Sequence, residues 1–404
     1  MTERLAVHGG PPTRRTMLPY GRQWVDEDDI AAVVAALRSD WLTTGPLIAE
    51  FERDFAAAVG AADAVAVSNG TAALHAAMFA LGIGPGDEVI VPTLTFAASA
   101  NCVVYQGGVP VFADVDPDTL LLDPESVRRA ISARTRAIVA VDYAGQPCDY
   151  AALRDIAARA GIPIVADAAH ALGARWRGEP VGAIAALTTF SLHPVKHITS
   201  GEGGMIATND PTFAARMRQF RNHGITTDHR QRDAQGAWFY EMTELGYNFR
   251  LTDFQCALGR SQLGKLAAWV ERRREIARRY DEAFGPEAAL RPLTTRPDVL
   301  HAYHLYVVQV HRDRLGNAGR DEVFTALRAE GIGVNVHYVP VHLHPFYRAR
   351  FATREGMCPV AEAAAERILS LPMFPRMTDA DVNDVVRAVR KVERAYASFA
   401  ATAS

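Results

Sequence analysis

The sequence predicts an α/β protein with a mainly parallel sheet, followed by a smaller C-terminal α+β domain. From about residue 60, short apolar runs rich in Val and Ile alternate with helical patterns, as in sheets whose strands are buried on both faces. After residue 250 the pattern becomes helical over a long stretch. The chain has 404 residues, which is long for one hydrophobic core and favours two domains. We place them at 1–265 and 266–404.

Seven segments carry the strand pattern, each short, largely uninterrupted and rich in β-branched residues: 64–68, 88–92, 110–115, 136–143, 162–169, 186–192 and 203–208. Helices are predicted between and after these strands, at 71–81, 95–106, 124–133, 150–160 and 210–221. The pair Asp123-Pro124 supports the third helix, because Asp can cap a helix and Pro suits its first turn.

The C-terminal part begins with a long helical stretch over 254–284. Its basic stripe at 272–279 is typical of a solvated helix face rather than of a nucleic-acid site. Strands are predicted at 304–310 and 334–339, with a helix at about 320–330 between them. Closing helices then complete the smaller α+β domain.

Composition excludes several classes of protein. Lys plus Arg total 43 and Asp plus Glu total 46, for a formal charge of −3, which offers no strongly basic surface for nucleic acid or a membrane. No apolar stretch reaches the length of a membrane span, and the polar start lacks the apolar core of a signal peptide. The 4 cysteines are far apart and form no CxxC pair. We therefore expect neither a disulfide framework nor a zinc site, and a cytoplasmic location.

The first candidate functional feature is the segment 68–72, Ser-Asn-Gly-Thr-Ala, between a predicted strand and a predicted helix. Small residues let backbone amides approach an anion at a helix N-terminus, and Thr71 adds a hydroxyl. A plain helix cap with a turn is the alternative, and this segment alone favours it. A second glycine pattern, Gly82-x-Gly84-x-Gly86, precedes a strand rather than following one, so it indicates a loop and not a dinucleotide fingerprint.

The second feature is Asp167, in the apolar run IPIVADAAH. An acid at the end of such a strand is poorly hydrated and needs a hydrogen-bonding or cationic partner, for which a protonated pyridine nitrogen is suitable. Capping of the next segment is the alternative. His170 follows by three residues and can face the same ligand, although a lone histidine is more often a structural hydrogen-bonding residue.

The third feature is Lys196, which follows Ser191, at the end of a predicted strand, by five residues. Where burial and positive charge make its neutral amine accessible, a lysine forms an imine with an aldehyde cofactor. Alone, the segment favours a solvent-facing loop lysine. The three features together supply a phosphate cradle, a partner for a ring nitrogen and an imine-forming amine, which is what pyridoxal phosphate requires.

Several blocks along the chain resemble the DegT/StrS-type (DnrJ-like) sugar aminotransferases, which are fold-type I enzymes that use pyridoxal 5'-phosphate. These blocks lie, in order, at 41–52, 68–92, 166–174, 191–210, 245–259, 331–347 and 369–375. The resemblance covers nearly the whole chain. It implies a large domain with a mainly parallel seven-stranded sheet and a smaller C-terminal domain.

The resemblance also assigns roles around the cofactor. Lys196 is expected to form the Schiff base and to carry the proton between cofactor and sugar, and Asp167 to pair with the pyridinium nitrogen. His170 stands where many relatives carry Gln, near the ring hydroxyl. Phe96 is expected to stack on the ring, with core filling at a helix start as the alternative. The phosphate is expected to contact Gly70, Thr71, Ala72 and Ser191.

Further roles concern the substrate and the neighbouring subunit. In this family Asn248 reaches the phosphate of the partner's cofactor, which implies a homodimer with shared active sites. Arg250, nearby, is a further candidate for this contact. His337 matches a position that lines the sugar pocket. Residues in segments that border the substrate site are Tyr20, Thr44 and His223. The histidines near His337 fit no common zinc spacing, and we expect no metal.

The fragments 141–150, 193–199 and 221–232 are similar to the branch of pseudaminic-acid biosynthesis. That branch aminates C4 of a UDP-linked 4-keto-6-deoxy-N-acetylhexose with L-glutamate, giving UDP-4-amino-4,6-dideoxy-N-acetyl-β-L-altrosamine. Another 3- or 4-keto nucleotide sugar or a cyclitol is the alternative substrate. A dehydrating branch replaces the lysine with histidine, and here Lys196 is present. The alternatives from other functional classes are a non-catalytic sensor that keeps the cofactor and a nicotinamide oxidoreductase.

Overall fold

The structure, a computed structural model, describes residues 3–227, 229–285 and 287–402. Its strands form three sheets. In chain order they are β1 (Asp63–Val67), β2 (Glu88–Pro92), β3 (Val109–Ala113), β4 (Thr135–Val141), β5 (Ile164–Asp167), β6 (Arg175–Trp176), β7 (Glu179–Pro180), β8 (Leu187–Ser191), β9 (Gly204–Thr208), β10 (Leu290–Pro292), β11 (Val299–Leu300), β12 (Tyr306–Val310) and β13 (Ile368–Leu371).

Helices surround these sheets. In chain order they are α1 (Glu27–Leu37), α2 (Pro46–Val59), α3 (Gly70–Ala80), α4 (Ala98–Tyr105), α5 (Pro124–Ala130), α6 (Tyr150–Ala160), α7 (Pro211–Phe220), α8 (His229–Gln235), α9 (Asp253–Leu263), α10 (Leu266–Ala283), α11 (Arg320–Ala329), α12 (Pro345–Phe351), α13 (Pro359–Ala365) and α14 (Asp379–Thr402). Among the described residues, none of the helices is both long and apolar enough to cross a membrane.

The largest sheet has seven strands in the order β1-β9-β8-β5-β4-β2-β3. Only β9 runs antiparallel to its neighbours, β1 and β8, and every other pairing is parallel. The seven strands predicted from the sequence are therefore confirmed, because strands buried on both faces leave continuous apolar runs.

The predicted helices of the first part are also present, with shifted ends. Asp123 caps α5 by accepting hydrogen bonds from the amides of Glu125 (3.1 Å) and Ser126 (2.9 Å), as the Asp-Pro start signal indicated. The helix predicted from residue 95 begins only at Ala98. The residues before it form a loop that carries Phe96 to the edge of a cleft.

The C-terminal part departs from prediction in its strands. No strand forms over 334–339, where the structure has a single bridge between Asn335 and Ser370. The ladder stops there because the His337 ring hydrogen-bonds Ser370 Oγ (2.8 Å) and Tyr143 Oη donates to the carbonyl of His337. Three strands that were not predicted form instead, β10, β11 and β13, and β12 pairs with β10 and β13.

Two hydrophobic clusters form the core. One surrounds the seven-stranded sheet, and the other packs α10, α11 and α14 against β10, β12 and β13. Leu5 and Leu18 of the N-terminal segment belong to the second cluster. The long helical stretch consists of α9 and α10, separated near Gly264. The domain boundary at residue 265 stays a prediction.

Candidate active site

A cleft of about 1030 Å³ opens where the parallel strands of the large sheet end. Val141, Asp167 and Ser191, the last residues of β4, β5 and β8, all line it. Carboxyl ends of parallel strands are the usual ligand site in open α/β sheets. The cleft brings together most of the predicted site residues, namely Tyr20, Gly70, Thr71, Ala72, Phe96, Asp167, His170, Ser191, Lys196 and His337.

Lys196 lies in a turn after β8, with its amide hydrogen-bonded to the His193 carbonyl (2.9 Å). Its side chain is partly buried, and within the described parts of the chain it forms no ion pair. Burial lowers the pKa of Lys196 to about 8, which Asp167 opposes and Arg273 reinforces. A neutral, nucleophilic amine is thus accessible near neutral pH.

Asp167, the last residue of β5, is only 5% exposed. Ser99 Oγ donates a hydrogen bond to its Oδ2 (2.6 Å), and the Ala169 amide donates to Oδ1 (3.2 Å). Thr95 Oγ1 in turn contacts Ser99 Oγ at 2.7 Å. Burial still raises the pKa of Asp167, so two donors do not replace the lost hydration. The geometry favours a ligand that brings positive charge to this carboxyl.

His170 is held between two other rings. Its Nε2 lies 3.1 Å from Tyr338 Oη, and its ring centroid lies 4.5 Å from that of His304. Burial holds the pKa of His170 well below its usual range, so the imidazole is neutral. Its Nδ1 is buried and has no partner among the described residues. That atom is available for a hydrogen bond to a ligand in the cleft.

An anion cradle lies at the start of α3, directly after β1. Asn69 caps this helix by accepting a hydrogen bond from the Ala72 amide (2.8 Å). Gly70 and Thr71 occupy the first two helical positions, whose amides have no intrahelical acceptor and point at any anion bound there. A Cβ at Gly70 would lie 3.0 Å from Ser191 Cβ. The helix cap is therefore present, and the anion site at these amides stays a prediction.

Aromatic rings form the outer wall of the cleft. Phe96 is 59% exposed, and its ring lies 5.9 Å from that of Tyr338. Tyr20 and His337 lie 5.4 Å apart, centroid to centroid. Burial lowers the pKa of His337 to about 4, so this imidazole is neutral at physiological pH. An exposed ring such as Phe96 is well suited to cover a planar ligand.

Four predicted residues lie outside this cleft. Thr44 lines a second cavity, of about 640 Å³, together with Arg250. Asn248 pairs with Asn222 in an isolated bridge, and the His223 amide donates to the Tyr247 carbonyl (3.0 Å). None of the four lines the cleft that holds Lys196. The role of Asn248 at the partner's site stays a prediction.

Sequence reasoning missed several residues that complete the cleft. Ser99 sits in a run of small residues without a distinctive pattern, and Tyr338 lies in the segment taken for a strand. A rule that buried acids require donors would have predicted some hydroxyl beside Asp167. Nothing in the sequence indicated which one.

The site residues fit pyridoxal phosphate. Among the described residues neither the buried Asp167 carboxyl nor the Lys196 amine has an ion-pair partner, and the first amides of α3 have no intrahelical acceptor. The unpartnered Nδ1 of His170 adds a polar contact on the same side of the cleft. These groups are complementary to a pyridinium nitrogen, an aldehyde, a phosphate and a ring hydroxyl.

Comparison with known proteins gives a consistent result. Residues 23–390 match the family described as the DegT/DnrJ/EryC1/StrS aminotransferase family. The chain is 42% identical over 381 residues to the spore coat polysaccharide biosynthesis protein SpsC of Bacillus subtilis, covering 94% of this chain and 98% of SpsC.

Two solved structures extend the comparison. Helicobacter pylori PseC, an aminotransferase involved in the biosynthesis of pseudoaminic acid, matches with a TM-score of 0.87 and 29% identity over 94% of this chain and 100% of PseC. Spr1654 of Streptococcus pneumoniae, in its PMP-form, matches with a TM-score of 0.88 and 31% identity over 94% of this chain and 100% of that one. The PLP-form of Spr1654 matches with a TM-score of 0.87.

Proposed function

Because this chain belongs to the DegT/DnrJ/EryC1/StrS aminotransferase family, and is a pyridoxal-phosphate-dependent sugar aminotransferase of fold-type I, we propose a specific reaction for it. The enzyme transfers the amino group of L-glutamate to C4 of a UDP-linked 4-keto-6-deoxy-N-acetylhexosamine. The products are 2-oxoglutarate and the UDP-linked 4-amino sugar. The likeness to PseC and the fragments around Lys196 support this substrate.

The observation that carries the proposal is that Lys196 and Asp167 lie in one cleft. The contacts of each residue do not compensate for the hydration that its charged form loses on burial. Bound pyridoxal phosphate supplies an electron sink that makes the C–H bond beside the amino nitrogen acidic. Lys196 Nζ takes the proton from the α-carbon of glutamate in the first half-reaction. In the second it delivers a proton to C4 of the sugar.

The surrounding residues orient these steps. Asp167 keeps a negative charge against the ring nitrogen, and Ser99 stabilises that charge. The amides of Gly70 and Thr71 hold the phosphate. Because Lys196 reaches the cleft from one side, it delivers the proton to one face of the sugar carbon. Tyr20 and His337 border the sugar, and Thr44 and His223 complete that border from beyond the cleft of this chain.

We further propose that the enzyme is a homodimer whose sites are shared. Asn248 lies outside the cleft of its own chain, and in a dimer it reaches the phosphate of the partner's cofactor. Arg250 makes no ion pair in the described parts of the chain and contacts only Asn222 Oδ1 (2.9 Å) through its side chain. In the proposed dimer, an anionic group of the partner's site is a suitable ion-pair partner for the Arg250 guanidinium.

The test is an absorption titration of the purified enzyme loaded with pyridoxal phosphate. L-Glutamate is expected to bleach the visible band, and the UDP-linked 4-keto sugar to restore it. Lys196→Ala is expected to abolish turnover while still binding pyridoxamine phosphate. Faster recovery with another 3- or 4-keto nucleotide sugar or a cyclitol would overturn the substrate. A band that no keto substrate restores would instead indicate a non-catalytic sensor.

A further inference from the structure

Arg273 is a buried cation in the middle of α10. It is 1% exposed and, within the described chain, forms no ion pair. Its Nη1 donates to the backbone carbonyls of Met373 (2.8 Å), Tyr303 (3.2 Å) and His304 (3.3 Å), and its Nε has no partner. Among the basic residues of the stripe at 272–279, predicted to be a solvated face, Arg273 is the buried one, whereas Arg272, Arg274, Arg278 and Arg279 are partly or fully exposed. A buried charge without a counter-ion is costly, so its position calls for a physical reason.

The guanidinium stays charged despite its burial. Burial lowers the pKa of Arg273 to about 9, which still leaves it protonated at neutral pH. Three carbonyl dipoles point at it, and guanidinium is the side chain that tolerates such sites best. Arg273 is thus a fixed positive charge in a dry environment, where Coulomb interactions act over longer distances than in water.

Two of its hydrogen bonds lead directly to the cleft. The residue whose carbonyl it binds, His304, places its ring 4.5 Å from His170 and 5.8 Å from His197, the neighbour of Lys196. The other contact is Met373, whose amide donates to the carbonyl of Tyr20 (2.9 Å) in the cleft wall. Arg273 therefore holds the inner side of the cleft from behind.

Few other charges face Lys196. Asp167 and Glu202 supply carboxyls in the same cleft, and His193 is an exposed imidazole on the same loop. Burial lowers the pKa of the remaining imidazoles and keeps them neutral at physiological pH: His170, His197, His304 and His337. Of the buried groups behind the amine, Arg273 is the one that brings a fixed positive charge.

We propose that Arg273 is a positioning residue whose buried charge weakens proton binding by the Lys196 amine and so makes its neutral, proton-accepting form accessible. The inference rests on the proposed role of Lys196 as the reacting amine. Burial alone already disfavours the ammonium, Asp167 acts in the opposite direction, and Arg273 offsets Asp167. Without Arg273, the lysine beside an acid would hold its proton more tightly and be a poorer base.

The sequence permits a direct measurement, because it contains only three lysines: Lys196, Lys265 and Lys391. Lys265 pairs with Asp29 (2.8 Å) and Lys391 with Glu330 (2.9 Å). In full-length protein stripped of cofactor and labelled with ¹³Cε-lysine, three NMR signals report the protonation of each amine against pH. The two ion-paired lysines serve as internal references.

Two variants separate charge from packing. Arg273→Gln keeps hydrogen-bond donors without charge, and we expect the Lys196 midpoint to rise by on the order of one pH unit. Arg273→Lys adds a fourth lysine signal, which reports whether the substituted amine is protonated in this buried position; while it is protonated the charge is kept, and the Lys196 midpoint is expected to stay near that of the parent. Arg272→Gln is the matched control. Arg272 is next to Arg273 in the sequence, but its side chain faces the surface and pairs with Glu275 and Asp379. Neither reference lysine is expected to move in any variant.

An unchanged Lys196 midpoint in folded Arg273→Gln would overturn the inference. Equal shifts in the Gln variant and in the Lys variant with its substituted amine protonated would also overturn it, because they would show an effect of packing rather than of charge. If the Gln variant does not fold, the contradicting result is a Lys196 midpoint in Arg273→Lys that differs clearly from the parent while the substituted amine is protonated, or that stays unchanged while it is neutral. Failure of the proposed reaction is detected separately, by the absorption titration, and does not change the Lys196 titration midpoints.

Discussion

One hydroxyl group sets the charge state of Asp167. Ser99 Oγ makes the shorter of the two hydrogen bonds to this buried carboxyl, at 2.6 Å. Hydrogen bonds to a charged group stabilise it more than neutral ones do. Because burial already raises the pKa of Asp167, the carboxylate depends on this donor to stay ionised opposite a ring nitrogen.

Ser99→Ala is therefore expected to weaken pyridoxal phosphate binding by roughly tenfold or more, since such a bond contributes about 1.5–3 kcal/mol. The pKa of Asp167 rises further in the variant, so the deficit grows as the pH falls. Binding is followed by quenching of protein fluorescence across a pH series. Ser261→Ala is the matched control, because Ser261 donates to Asp29 Oδ1 at the same 2.6 Å, away from the cleft.

An equal loss of affinity in Ser99→Ala and Ser261→Ala would contradict the role of Ser99. It would show that both changes act through general destabilisation. The control is expected to lower the thermal midpoint only. The proposed effect of Arg273 on Lys196 is a second case in which a single buried group acts on one other side chain.

At the scale of elements, the start of helix α3 has the features that suit anion binding. Its first turn carries Gly and Thr, its cap uses the Asn69 side chain, and its body is almost entirely buried. Gly70 also lies against Ser191, at the end of β8. The helix start and the strand end therefore meet at the position predicted for the phosphate.

Gly70→Ala tests this packing. Alanine favours helix more than glycine does, but its Cβ would lie 3.0 Å from Ser191 Cβ and push the strand end away. Overpacking of this kind costs about 1–3 kcal/mol, and we expect a several-fold loss of phosphate and cofactor affinity. Gly84→Ala, whose Cβ meets nothing within 4 Å, is the control. Unaltered phosphate affinity in Gly70→Ala would refute the cradle.

At the scale of the whole molecule, the site draws on distant parts of the chain. The N-terminal segment contributes Tyr20, the sheet contributes Asp167, and the C-terminal part contributes His337 and Tyr338. Asn248 is absent from this assembly. In the proposed homodimer a second copy of the chain would supply it, because closed symmetric dimers place the same surface on both partners.

A mixed dimer tests sharing of the sites. Lys196→Ala and Asn248→Ala each damage both sites of a homodimer. In a heterodimer of the two variants, one site combines both changes and the other is intact. Co-expression is expected to restore about a quarter of parental activity, from half the dimers with one working site each. Failure of purified heterodimers to recover any activity would show that Asn248 acts within its own chain.

The sequence alone determined the order of the seven strands along the chain and the helices between them. It also determined that Asp167 ends a strand and that Lys196 follows one by five residues. These features follow from local periodicity and from the chemistry of single residues, which a linear chain displays openly. The tertiary structure alone decided that Ser99 supports Asp167, 68 residues away, and that Tyr338 holds His170, 168 residues away. It also decided that Arg273 is buried behind Lys196, because packing of distant segments, and not local pattern, selects which polar groups lose water and which partners they then find.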